Sequence, residues 1–184
     1  MDEDDGQVSA LRATAHPVRL RMLSLLTGTA MSAAEVAREL DLTHANASYH
    51  LRVLLDAGEL VEAGEEKIRG GVAKRYRYPH ERHGHHARPG RPTDDDQVFY
   101  VRAVTLELER RIRERVPGLG PHTDLEGWVP PEVWARACEL MLEASHLLHD
   151  HNQAPRTPGT VHVSHTSWAF QMRQDPDPTE QENP

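Results

Sequence analysis

Residues 32–58 read SAAEVARELDLTHANASYHLRVLLDAG, and this stretch decides the fold. Ser32 is a favourable N-cap, because its hydroxyl can accept a hydrogen bond from a backbone N–H two or three residues further on. Apolar residues then recur at helical spacing through residue 40. Asp41 and Leu42 interrupt this pattern, and Thr43 is placed to cap a second helix. The stretch therefore predicts two short helices joined by a tight turn, a helix-turn-helix.

The second of these helices has two faces of different chemistry. Its apolar positions recur at steps of three and four and predict an inward face: Ala47, His50, Leu51 and Leu54. The other face carries small and hydrogen-bonding side chains, an aromatic ring and a cation, which suits the major groove of double-stranded DNA. The predicted DNA-contacting residues of this helix are Thr43, His44, Ala45, Asn46, Ser48, Tyr49 and Arg52.

The next segment predicts a basic β-hairpin. Gly58 suits the left-handed position after a helix, and residues 60–62 turn the chain into extended structure. Residues 66–69 and 74–78 form two arms around Gly70-Gly71. Cations on such arms can contact DNA phosphates without reading sequence. The predicted phosphate contacts are Lys67, Arg69, Lys74, Arg75 and Arg77.

The order of three sequence motifs resembles the ArsR-type winged-helix repressors. Residues 11–26 (LRATAHPVRLRMLSLL) are similar to that family's first helix, L-x-x-L-A-x-P-x-R-x-x-I-L-x-L-L. Residues 48–54 (SYHLRVL) are similar to its recognition helix, S-x-H-L-x-x-L, and residues 57–61 (AGELV) to its A-G-L-V exit into the wing. The resemblance covers about residues 9–79 and implies a dimeric transcription factor, usually a repressor released from its operator by an effector.

The chain divides at a segment of prolines, glycines, histidines and arginines, residues 80–93. We predict an acidic, disordered N-terminus at 1–8, a winged helix-turn-helix domain at 9–79, this linker, a helical dimerisation or effector region at 94–172, and a disordered acidic tail at 173–184. The expected fold class is mainly α with a β wing (α+β).

The C-terminal region begins with a charged helix that carries a narrow apolar stripe. This stripe is typical either of packing on the same domain or of pairing with a second chain, and pairing is the favoured interpretation. The predicted homodimer seam is Val98, Val101, Thr105, Leu108 and Ile112. A second helix is predicted at 131–149, and the alternation over 160–170 predicts a strand.

The net charge of −8 is unevenly distributed along the chain. Residues 7–78 hold ten Lys/Arg against eight Asp/Glu, whereas residues 92–184 hold eight against sixteen. At physiological salt the Debye length is about 8 Å, so distant carboxylates are largely screened from a DNA-facing surface. The sequence shows no signal peptide or membrane-spanning run, so we expect a cytoplasmic protein with no membrane partner. No enzyme motif is present, and we expect neither catalysis nor a cofactor.

Thirteen histidines raise the question of a metal site. The sequence lacks the thiolate pairs and dimer-helix histidines of metal-sensing ArsR-like regulators, so we expect either a small-molecule effector or none. An alternative is a zinc- or nickel-responsive repressor whose ligands lie in the linker: His80, His83, His85 and His86. A further alternative is that the winged helix binds another protein instead of DNA.

Overall fold

The computed structural model describes residues 10–68, 71–80, 93–118 and 120–173. Residues 10–14 are helical. The longer helices of the described chain are α1 (Pro17–Gly28), α2 (Ala33–Leu40), α3 (His44–Asp56), α4 (Asp94–Arg113) and α5 (Pro131–Asp150). The strands β1 (Met31–Ser32), β2 (Val61–Ile68) and β3 (Gly71–Arg77) form an antiparallel sheet in the order β1-β3-β2. This arrangement confirms the predicted winged-helix α+β fold.

The start of α1 differs from the single first helix that the sequence motif predicts. His16 lies in extended conformation, with φ −152° and ψ 129°, and its ring nitrogen Nδ1 accepts a hydrogen bond from the backbone N–H of Val18 (3.2 Å). Pro17 causes the break, because proline disfavours the helical conformation of the preceding residue and is itself well suited to the first helical turn. Residues 11–26 therefore span two helical segments.

The predicted caps of the helix-turn-helix are confirmed. Ser32 and Glu35 form a reciprocal capping box, in which the Ser32 backbone N–H donates to Glu35 Oε2 (2.7 Å) and the Glu35 N–H donates to Ser32 Oγ (3.4 Å). Thr43 Oγ1 accepts from the backbone N–H of Asn46 (3.2 Å). Gly58 follows α3 with φ +74°, the left-handed conformation that glycine adopts without steric cost.

The main core joins α1, α2, α3 and the base of the wing. Leu26, Val36, Ala47 and Leu54 have no exposed surface there. The wing is attached by a main-chain hydrogen bond from the N–H of Tyr78 to the carbonyl of Leu26 (3.0 Å). The apolar residues that the sequence assigned to the inward face of α3 therefore pack α3 against the core of the domain.

The wing is longer than the predicted arms and contains an irregularity. Pairing begins at Val61 with Arg77 and ends at Ile68 with Gly71, so Gly71 belongs to a strand and not to the turn. The register shifts by one residue between Glu62 and Glu65, which marks a β-bulge.

The helix α4 packs on α1 through a face other than the predicted seam. Ala103 and Val104 are buried against Leu20, and Asp96 is buried where the Arg12 guanidinium donates to it (2.9 Å). Hydrogen bonds from Thr93 and Arg12 lower the pKa of Asp96. The N-terminal helical segment is thus tied to α4.

The helix α5 confirms the helix predicted at 131–149, but none of its residues is buried. The strand predicted over residues 160–170 is wrong: the segment pairs with no strand of the described chain. It runs beside α4 instead, where Arg111 approaches Ser164 (3.5 Å) and Arg173 approaches Asp94 (3.5 Å). None of the described helices is long and apolar enough to cross a bilayer.

Candidate nucleic-acid interface

The outward face of α3 presents the side chains that the sequence assigned to DNA contact. Tyr49 is 57% exposed, and the other residues of this face are exposed or half-buried: Thr43, His44, Ala45, Asn46, Ser48 and Arg52. The opposite face is the buried one described above. Because Thr43 satisfies the amide of Asn46 at the first turn, the start of α3 is fixed in place while its side chains remain accessible. A rigid, solvent-facing helix of this kind fits a major groove.

A small aromatic cluster supports this face from below. The ring centroids of Tyr49 and His50 lie 5.2 Å apart in an edge-on arrangement, and those of His50 and His16 lie 4.8 Å apart. His50 is only 6% exposed, and its Nδ1 has no hydrogen-bond partner among the described residues. The cluster connects the cap of α1 to the centre of the exposed face of α3.

Both histidines of this cluster favour the neutral state. Burial lowers the pKa of His50 from its usual value, and the nearby His16 and the positive charge of Arg19 lower it further. Burial followed by the charge of Arg19 also lowers the pKa of His16. Neutral rings suit the geometry, because the Nδ1 of His16 must keep its lone pair to accept from Val18.

The cations of the wing have different surroundings. Lys67 is exposed and Arg77 is half-buried, whereas Lys74 donates to Glu62 (2.7 Å). Arg75 forms ion pairs with Glu35 (3.1 Å) and Glu66 and donates to the carbonyl of Ala30. Arg69, the remaining predicted phosphate contact, lies outside the described residues. Lys74 and Arg75 are therefore engaged with carboxylates of the wing and α2.

Arg75 is part of a network that sequence reasoning missed. Burial opposes the charged form of Glu35, but hydrogen bonds from Ser32 and the charge of Arg75 outweigh this effect, so the pKa of Glu35 is lowered. The capping box of α2 and the wing thus share one carboxylate. The S-x-x-E spacing in the sequence could have indicated the capping box, but no local signal indicates that residue 75 reaches it.

The residues predicted to form the dimer seam lie along one side of α4. Val98 and Ile112 are each 47% exposed, Val101 and Thr105 are exposed, and Leu108 is half-buried. The residues of α4 that are buried against α1 are Ala103 and Val104, which are not members of this predicted seam.

The predicted linker ligands are only partly visible. His80 is described, whereas His83, His85 and His86 lie outside the described residues. Within the described part of the chain, no group of three or more His, Cys, Asp or Glu side chains is placed to hold a metal ion. The four linker histidines therefore stay a prediction.

Comparison with known protein families supports the helix-turn-helix domain. Residues 14–62 match the model of a helix-turn-helix domain family. This family includes the ArsR-type regulators, and the match contains α1, α2 and α3 with the exposed face of Tyr49. No curated protein matches the chain. A helix-turn-helix domain within a winged-helix fold is the arrangement of a DNA-binding regulator.

Proposed function

We propose that this protein is a sequence-specific transcriptional regulator of the ArsR type, which binds an inverted-repeat operator as a homodimer and acts as a repressor. The observation that carries the proposal is the outward face of α3, which presents Ser48, Tyr49 and Arg52 to solvent behind a capped first turn. Hydroxyls near the N-terminal end of the helix can donate to or accept from base edges, and the cation near its end can reach guanine or phosphate.

The wing supports the same proposal through charge. Lys67 near the hairpin tip is exposed, whereas Lys74 and Arg75 are paired with carboxylates. We expect the exposed Lys67 to make a principal phosphate contact of the described wing. A small number of phosphate contacts predicts a shallow dependence of DNA affinity on salt.

Dimerisation is proposed from the exposed apolar residues of the predicted seam on α4. A second chain would cover Val98, Val101 and Ile112 with the same three residues of its own α4. The two DNA-binding domains of such a two-fold dimer fit an operator with two half-sites. The same proposal divides the chain into a winged helix-turn-helix DNA-binding domain at 9–79 and a region for dimerisation or for a small-molecule effector at 94–172.

DNA reading is tested by selecting bound fragments from genomic DNA and then comparing variants on the selected site and on random duplex. Tyr49→Ala and Ser48→Ala should each reduce discrimination between the two duplexes by about 1–3 kcal/mol. Lys67→Ala should weaken binding to both duplexes alike and should reduce the slope of log affinity against log salt concentration by about 1. Failure of the wild-type protein to retain any genomic fragment at low salt would contradict the proposal.

The dimer is tested by Ile112→Asp, which would place an unpaired carboxylate in an apolar interface at a cost of several kcal/mol. The variant should be monomeric in light scattering and should bind the operator more weakly. Leu106→Asp is the matched control, because Leu106 is also exposed on α4 but lies off the seam. A dimer that survives Ile112→Asp would move the interface away from this side of α4.

A further inference from the structure

The end of the wing and the end of the last helix meet at two histidines. His80 follows β3, and His149 lies in the last turn of α5, nearly 70 residues later in the chain. Their ring centroids are 5.6 Å apart, and their ring planes are inclined by 34°. Nδ1 of His80 is buried, so this meeting point is shielded from solvent on the side of His80.

The polar neighbours of each ring determine which nitrogen carries its hydrogen. Nε2 of His80 lies 3.1 Å from Oδ1 of Asp150, and a carboxylate accepts, so Nε2 carries the hydrogen and Nδ1 of the neutral ring holds the lone pair. Nδ1 of His149 lies 2.8 Å from the carbonyl oxygen of Ser145, which can only accept. Nε2 of His149 therefore holds the lone pair.

This is the pattern of hydrogen bonds around metal-bound histidines. A ligating imidazole donates its other N–H to a carboxylate or to a backbone carbonyl, and here one histidine does each. Two imidazoles that share a zinc ion each place a nitrogen about 2.0–2.1 Å from the metal, which sets their ring centroids about 5–6 Å apart. The observed separation of 5.6 Å lies in that range.

We propose that Nδ1 of His80 and Nε2 of His149 bind a divalent late transition-metal ion of the zinc, nickel or copper type. Asp150 and the Ser145 carbonyl orient the two rings without touching the metal. The described residues supply no third protein ligand at this point. The ion would link the end of the wing to the end of α5, which are already in contact through His80 and Asp150.

The test uses the full chain without a purification tag and titrates Zn²⁺ by calorimetry. One ion per chain should bind, and His80→Gln or His149→Gln should each weaken that binding at least tenfold. Asp150→Asn should weaken it by about 10- to 100-fold, the usual effect of changing an orienting partner. His122→Gln is the matched control, an exposed histidine far along the chain, and should leave the affinity unchanged.

A second variant separates this site from the linker histidines. A chain with His83, His85 and His86 changed to Gln keeps His80 and His149, so it should keep the single Zn²⁺ site. Zn²⁺ should also raise the melting temperature of this variant and of the wild type, because the ion binds only the folded chain, in which the two histidines meet. It should not raise that of His149→Gln, which lacks one of the two ligands. Loss of binding in the triple variant with full binding in His149→Gln would overturn the proposal, as would the absence of a stoichiometric site.

Discussion

Arg75 allows a sharp test of whether a wing cation acts on DNA or on the fold. Its side chain is 26% exposed and forms ion pairs with Glu35 and Glu66, in addition to a hydrogen bond to the Ala30 carbonyl. Partly exposed ion pairs contribute about 0.2–1 kcal/mol each, and a hydrogen bond contributes about 0.5–1.5 kcal/mol. Arg75→Ala should therefore lower the free energy of unfolding by about 1–3 kcal/mol.

The effect should depend on pH, because the folded state lowers the pKa of Glu35. A carboxylate with a lowered pKa contributes stability above its unfolded pKa, and that stability is lost as the pH falls through the folded pKa. The loss caused by Arg75→Ala should be full at pH 7 and should shrink below about pH 4, as Glu35 takes up a proton. Arg75→Lys should recover only part of the stability, because an ammonium cannot reproduce the planar fork of the guanidinium.

Urea unfolding at several pH values measures these differences, and filter binding at low temperature measures DNA affinity separately. Lys74→Ala is the control, since its ion pair with Glu62 lies on the surface and its removal should leave stability nearly unchanged. If Arg75→Ala unfolded at the same urea concentration as the wild type but bound every duplex more weakly, the structural role would be refuted and a phosphate contact established.

Two further predictions concern the support beneath α3 and the contact at the end of α1. The folded state lowers the pKa of both His50 and His16, so the unfolded chain takes up protons first as the pH falls, and the free energy of unfolding should decrease below about pH 6.5. The variant His16→Asn keeps a side-chain acceptor for the cap of α1 and should make this pH dependence weaker. Urea midpoints at pH 7.5 and pH 5.5 measure the difference. Gly28→Ala would place a Cβ 2.5 Å from the backbone oxygen of Gln153, so the chain around Gln153 should move away from α1 and become more sensitive to proteolysis. Gly120→Ala is the control, because its Cβ enters open space. Equal cleavage of the two variants would show that the contact between Gly28 and Gln153 is not maintained.

Local signals in the sequence predicted those parts of the fold that short-range chemistry determines. The caps at Ser32 and Thr43 and the left-handed Gly58 depend on hydrogen bonds and dihedral angles within four residues, and all three are confirmed. The exposed face of α3 followed from helical periodicity in the same way.

Features that depend on distant partners were not predicted. Alternation over residues 160–170 resembles a strand, but a strand needs an edge to pair with, and the segment lies beside a helix. The apolar stripe of α4 is easy to recognise in the sequence, but the contact with α1 is made by Ala103 and Val104, which lie outside that stripe. A small side chain such as that of Ala103 permits close approach of two helices but contributes little to a hydrophobic pattern. The approach of Arg75 to Glu35 depends on sheet pairing between β1 and β3, which periodicity does not specify.

The bulge between Glu62 and Glu65, which includes Gly64 with φ +118°, has a consequence for changes in chain length. Glu62 pairs with Tyr76 and Glu65 with Lys74, so a chain lacking residue 64 would keep both partnerships in a regular ladder, with every side chain on its present side. Such a deletion would remove only the added twist that a bulge gives a hairpin. A one-residue gap at this position would thus leave the charges of the wing in register while altering the direction in which its tip extends.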